Sequence, residues 1–279
     1  MRSLRLVLLA LLALACGAEP PERHMTNRLV LWMTGQSNSW GVDPGEAYVN
    51  AGNPGTYANV DYWDTLLSSI DCEAFRPLDG SHGKDRTVGR LLYEAGFNPV
   101  IINISKGSTY SNQWIPNHPY YQLYIAEVAE VYPILVARFP GDTFTHIHIR
   151  DQGEEEARYD TSTPAGLAVV TNWSENFELT HGALQNIIGP AERIIIQTNS
   201  NIVGKTSPGL LEGEQLTAAG SYLRFVDRNS VAYEINGIHM TTPGYISCGT
   251  LVAQQVQRLL WDKSKQSRSL PSHTLSFGL

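Results

Sequence analysis

The chain has 279 residues, 42% hydrophobic and 17% charged, which is apolar material enough for one large folded domain or two small ones. Twenty basic and 27 acidic side chains leave a formal net charge of -7 with no dense Lys/Arg stripe, which argues against a nucleic-acid surface. Beyond the first residues no stretch reaches the ~18 to 20 apolar residues of a membrane span, so the expected partner is a small molecule or a neutral polymer.

In chain order, residues 1–24 read as an export signal with a short linker. "MRSLR" is a basic n-region, and "LVLLALLALA" is an apolar h-region too short to cross a bilayer. Ala13, Leu14 and Ala15 then lead into Cys16. A cysteine at that place carries the lipid in a bacterial lipoprotein signal, although Ala13 stands where Leu is usual, so plain cleavage stays open. A start at Met25 would remove the signal. The reading favours export, to the periplasm, the medium or a lipid anchor on the envelope, with membrane contact only through Cys16. Cys72 and Cys248 either pair in an oxidising compartment or stay buried as small apolar residues.

Residues 25–262 form the expected domain, followed by a polar tail over 263–279. Four apolar, β-branched runs predict strands at 28–34, 98–105, 143–150 and 192–199. Runs of this continuous kind suit a parallel sheet covered on both faces. The segment 41–83, rich in Gly, Asn, Asp and Tyr, reads as a long surface excursion that could wall a substrate site. Helical spacing appears over 87–96, closed by Gly96, and over 120–139, where Pro133 predicts a kink or break. It appears more weakly over 172–189. A last helix over 242–261 has Pro243 near its first turn and a stripe of Ile246, Ala253, Val256 and Leu260. Alternation of strand and helix predicts an α/β fold with right-handed crossovers.

Ligands of an open parallel sheet bind at the carboxyl ends of its strands, and four polar stretches fall there or just before the last helix. Ser37 lies in "TGQSNSWG", where the first strand turns; a serine becomes a nucleophile when a base takes its proton, and is otherwise a turn residue. Gly107, in "NISKGSTYSNQW", allows close backbone approach to a ligand. Gln152 offers a side-chain amide at the end of the third strand. Glu154, Glu155 and Glu156 would occupy the first turn of a following helix, where its dipole favours negative charge, and that role suffices for two of the three. His239, in "INGIHMTTPG", is a candidate base if it meets the serine. His146 and His148 share one face of a strand, but no convincing third ligand accompanies them, so they read as core histidines and no metal or other cofactor is expected.

Together "GQSN", "KGSTYSNQW", "QGEEEA" and "NGIH" resemble, in order, the blocks of SGNH (GDSL-like) hydrolases, in particular the sialate O-acetylesterase-like and carbohydrate esterase family 6 branch. The resemblance spans about 28–262. It implies a flavodoxin-like parallel sheet of about five strands with helices on both faces, and hydrolysis of O-acetyl esters on sugars through an acyl-serine. It further implies Ser37 as nucleophile and His239 as general base, with an oxyanion hole from the backbone N–H groups of Ser37 and Gly107 and the Gln152 side chain. Gln36, Trp40, Tyr110 and Trp114 would face an acetylated carbohydrate, the aromatic rings either stacking on a sugar or packing. One position departs. Asn236 stands where the family has the Asp that orients the imidazole, and Asn supplies an acceptor without the charge. Another carboxylate could serve, Glu154 first; a slower Ser–His pair could suffice; or the chain is a glycan binder on the same fold. A sugar O-acyltransferase using the same serine is a further alternative.

Overall fold

The β-branched runs become the central strands of one sheet in the computed structural model, which describes residues 26–40, 56–66, 75–79, 83–198, 208–232 and 239–269. Among these residues the strands are β1 (Asn27–Gly35), β2 (Thr56–Leu66), β3 (Arg76–Asp79), β4 (Asn98–Ser105), β5 (Thr143–Asp151), β6 (Ala191–Ile196) and β7 (Phe225–Val226). Their order is β3-β2-β4-β1-β5-β6-β7. All neighbours run parallel except β2 and β3, which are antiparallel. Counted among themselves, β4, β1, β5, β6 and β7 stand in the order 2-1-3-4-5, the flavodoxin-like arrangement. The winding reverses between β1 and β5, so a crevice opens above their carboxyl ends.

The helices are α1 (Ser37–Trp40), α2 (Asp85–Glu94), α3 (Pro119–Arg138), α4 (Pro164–Thr171), α5 (Trp173–Ile188), α6 (Pro208–Ala219) and α7 (Thr242–Ser269). Local chemistry places their ends. Pro119 opens α3, where the missing N–H costs nothing, and the His118 ring accepts the Tyr120 N–H at 3.2 Å. Thr163 caps α4 by accepting the Gly166 N–H at 3.1 Å. Gly96 leaves α2 with φ +88°, and the Phe97 N–H returns to the Leu92 carbonyl at 3.0 Å, the backbone closure expected of a glycine there.

Alternate residues of each strand serve opposite cores. Leu29, Leu31 and Met33 pack with Val88 and Leu92 of α2 and with Val252, Ala253 and Val256 of α7. Val30 and Trp32 pack with Tyr124, Val128, Val131 and Leu135 of α3 and Leu184 of α5. A third cluster joins Val170 of α4, Trp173 and Phe177 of α5, and Leu211 and Ala218 of α6 over Ile195. Sandwiching the sheet this way leaves its carboxyl edge as the open place.

Several expectations are corrected. The sheet has seven described strands rather than about five, because the excursion 41–83 contributes β2 and β3. β2 escapes a periodicity reading since polar Asn59, Asp61 and Asp64 interrupt it; Asp61 is an ion-pair partner of Arg138, while Val60, Tyr62 and Trp63 are buried. α3 runs unbroken through Pro133, held on either side by the buried Val131 and Leu135. The last helix continues to Ser269, past the end at 261 expected from its spacing. Cys248 is a free, buried thiol on α7, pushed up to about 11 by burial; Cys72 lies outside the described residues, as do 1–25 and 270–279.

Candidate active site

Register brings the site together. Gly35 pairs with Ser105 of β4 and with Asp151 of β5, so Ser37, Gly107 and Gly153 each lie two residues beyond one common rung. Gly35 adopts φ +144°, and a side-chain carbon there would stand 1.9 Å from the Asp151 carbonyl oxygen. Only glycine lets β1 turn so closely over β5. Ser37 is the first residue of α1 and half-buried. A carbon added at Gly107 would lie 3.9 Å from Ser37 Cβ, which measures how near that loop passes.

His239 arrives from the segment before α7, and its Nε2 lies 3.1 Å from Ser37 Oγ across 202 positions of chain. That is within the range for direct proton transfer.

Beneath the serine sits a buried network of charge. Lys84 Nζ pairs with Asp151 Oδ2 at 2.8 Å, Arg228 with Asp151 Oδ1 at 2.7 Å, and Arg228 also with Glu154. Burial pushes the Asp151 carboxyl up, but Arg228 and Lys84 outweigh it and hold it below its ordinary range. The short α1 has carbonyls without intrahelical partners. Lys84 Nζ supplies the Asn38 carbonyl at 2.7 Å, and Asn103 Nδ2 supplies that of Ser39 at 2.9 Å. Asp85, raised by burial to about 6, accepts from Asn103 Nδ2 at 2.6 Å and the Tyr62 hydroxyl at 3.2 Å. Sequence reasoning missed Lys84, Asp85 and Arg228, because "HGKDR" and "VDRN" look like solvated turns, and it gave no role to Asp151 at the end of the third predicted strand.

The acidic run is corrected too. A single 3-10 turn at Glu156–Arg158 follows β5 where an α-helix was expected, and only Glu155 is a surface charge, 3.3 Å from Arg158. Glu154 is fully buried, its oxygens taken by Gln36, Asn38 Nδ2 at 2.8 Å, and Arg228. Glu156 is buried under the Ser111 N–H, and desolvation raises its pKa. Gln36, expected to face substrate, is buried and donates to Glu154 instead. Trp114 is likewise a packing residue, 0% exposed, with its indole N–H on Thr109 Oγ1 at 3.1 Å and Arg150 over its ring at 4.5 Å. Tyr110 is half-buried and meets Tyr159 edge-on at 5.4 Å. Gln152 is buried, with its amide N–H on the Thr109 carbonyl and 3.5 Å from Gln36 Oε1. An oxyanion role requires that amide to turn from these partners. Asn236 lies outside the described residues, as does the side chain of Trp40.

Among the described residues no three metal-ligating side chains converge. His146 accepts the Trp32 indole N–H at 3.2 Å. Arg150 donates to Thr34 Oγ1 at 3.3 Å, Thr34 Oγ1 lies 2.8 Å from His148 Nε2, and His148 Nδ1 lies 3.1 Å from His181 Nδ1, so these histidines are engaged within the core.

No protein-family model matches the chain, and no curated protein sequence matches it. Solved structures do. An Arabidopsis thaliana protein superposes with a TM-score of 0.61 at 13% identity, covering 82% of this chain and 98% of that one. NanS gives 0.51 at 12% identity, covering 86% and 99%. Est24, a carbohydrate acetylesterase from Sinorhizobium meliloti, gives 0.50 at 13% identity, covering 83% and 99%. The chain shares the α/β fold of these proteins.

Proposed function

We propose that this protein is an SGNH-type serine esterase that removes O-acetyl groups from carbohydrate. The observation that carries the reading is the 3.1 Å approach of His239 Nε2 to Ser37 Oγ at the topological switch point of the sheet. Its fold, shared with solved carbohydrate acetylesterases, supports the substrate class. In this mechanism His239, with its proton on Nδ1, takes the Ser37 proton as Oγ attacks the acetyl carbonyl, and the imidazolium then protonates the departing sugar oxygen. Water, deprotonated by the same imidazole, then attacks the acetyl carbonyl, and the imidazolium returns the proton to Ser37 Oγ as the acyl bond breaks and acetate leaves. Backbone N–H groups of Ser37 and Gly107 are the candidate donors to the oxyanion, joined by Gln152 once its amide turns. On the strength of the basic and apolar segments before Cys16, the proposal places this reaction outside the cytoplasm.

The test sets wild type beside Ser37→Ala on p-nitrophenyl acetate and acetylated xylan, with a fluorophosphonate mass adduct as a second readout. Acetate release and the adduct are expected from wild type alone. Equal release by both proteins removes the serine mechanism. Asn236 favours one other reading, a glycan binder that keeps the fold. Saturable sugar binding with neither turnover nor adduct is its signature.

A further inference from the structure

Asn38 follows the serine directly and is fully buried. Its Oδ1 accepts the Met240 backbone N–H and the Tyr245 hydroxyl, each at 3.2 Å. Its Nδ2 donates to Glu154 Oε1 at 2.8 Å. Glu154 is in turn paired with Arg228, which with Lys84 neutralises Asp151. One amide therefore touches the residue after the base, while its own backbone continues the residue that bears the nucleophile. It is anchored below by the buried ion network. The chemistry at this place asks for an acceptor on one side and a donor on the other. Asp would face Glu154 with a second carboxylate, and an apolar side chain would leave Met240 N–H and Glu154 short of a buried partner.

Resting on the esterase reading, we propose that Asn38 is a positioning residue: it sets the distance between Ser37 and His239 by holding the histidine segment through the Met240 backbone. This takes over part of the work that an orienting Asp at position 236 would do. A misplacement of about 1 Å costs on the order of 10²-fold in rate, so the tie matters to turnover more than to binding.

The test measures kcat and KM on p-nitrophenyl acetate, the rate of fluorophosphonate labelling of Ser37, and melting temperature, for wild type, Asn38→Ala and Asn38→Asp. In Asn38→Ala, kcat and the labelling rate are expected to fall together by about 10- to 100-fold while KM stays within about twofold. Asn38→Asp keeps the acceptor for Met240, and its neutral acid can still donate to Glu154. Its activity is expected to be partly restored at low pH and lost as the new carboxyl ionises, narrowing the pH profile from the alkaline side. A residue that only fills space would leave that profile parallel to wild type. Wild-type kcat and labelling in a folded Asn38→Ala overturn the proposal. If that variant does not fold, a parallel pH profile in Asn38→Asp overturns it and a narrowed one sustains it. A wild-type protein that neither turns over nor labels overturns the esterase reading itself, and the positioning role with it.

Discussion

Asn236 stands three residues before His239, close enough in sequence to reach its imidazole but without the charge that would stabilise the imidazolium. In serine-protease triads the Asp-to-Asn exchange lowers turnover about 10⁴-fold. Running the exchange backwards gives a prediction: Asn236→Asp raises kcat on p-nitrophenyl acetate by at least ~10-fold, with KM little changed, in steady-state assays beside wild type. No gain would mean that the imidazole is oriented by other means. Glu154 is a poor substitute, since Gln36, Asn38 and Arg228 hold its oxygens. Its burial was illegible in the chain, because Arg228, which makes a buried carboxylate tolerable, lies 74 positions away.

At the scale of elements, the site depends on how β1 leaves the sheet. The turn at Gly35 is fixed on one side by Gln36 N–H donating to the Asp151 carbonyl at 3.1 Å, and on the other by Lys106 N–H donating to the Gly35 carbonyl at 2.9 Å. Gly35→Ala would place its Cβ 1.9 Å from the Asp151 carbonyl oxygen in a backbone region that side chains avoid. The backbone strain alone is worth about 1–3 kcal/mol, and relieving the overlap must part β1 from β5 at the rung below Ser37. Gly35→Ala is expected to lower the urea midpoint by more than that strain requires and to abolish labelling of Ser37. An unchanged midpoint would show that the turn relaxes freely. The motif "TGQSN" makes the glycine visible, but what the glycine avoids is a carbonyl from residue 151, which no local pattern announces.

For the whole molecule, buried ionisable groups set the response to pH. Burial brings His146 and His181 down to about 4 from their ordinary 6.5, and burial, with His181 and Arg150 beside it, also holds His148 well below 6.5. The unfolded chain binds protons at these three sites that the folded one refuses, so stability present above about pH 6.5 is lost as the pH falls towards 4. Asp85 acts in the opposite sense. Raised to about 6, it holds its proton better when folded, and stability declines as the pH rises from 3.8 to 6. Three depressed histidines outweigh Asp85 and Glu156, the two carboxyls that burial raises, so denaturation midpoints are expected to be level above pH 7 and to drop between pH 6 and 4.5. Asp85→Asn should steepen that drop, because it removes one of the two opposing groups; a midpoint that rises on acidification contradicts the balance.

The strand runs, the four helices α2, α3, α5 and α7 and the placement of polar motifs at strand ends were legible from spacing alone, since continuous β-branched stretches and 3.6-residue apolar stripes have few ways to be buried. β2 and α6 were not, as their polar residues carry no clear period and both are held by the sheet they join. The pairing of Ser37 with His239, and the seat of Lys84, Asp151, Arg228 and Glu154 beneath them, belong to tertiary structure. A charge is stable inside a protein only when its counter-charge arrives with it, and here the counter-charges come from distant strands and loops that meet only when the sheet closes.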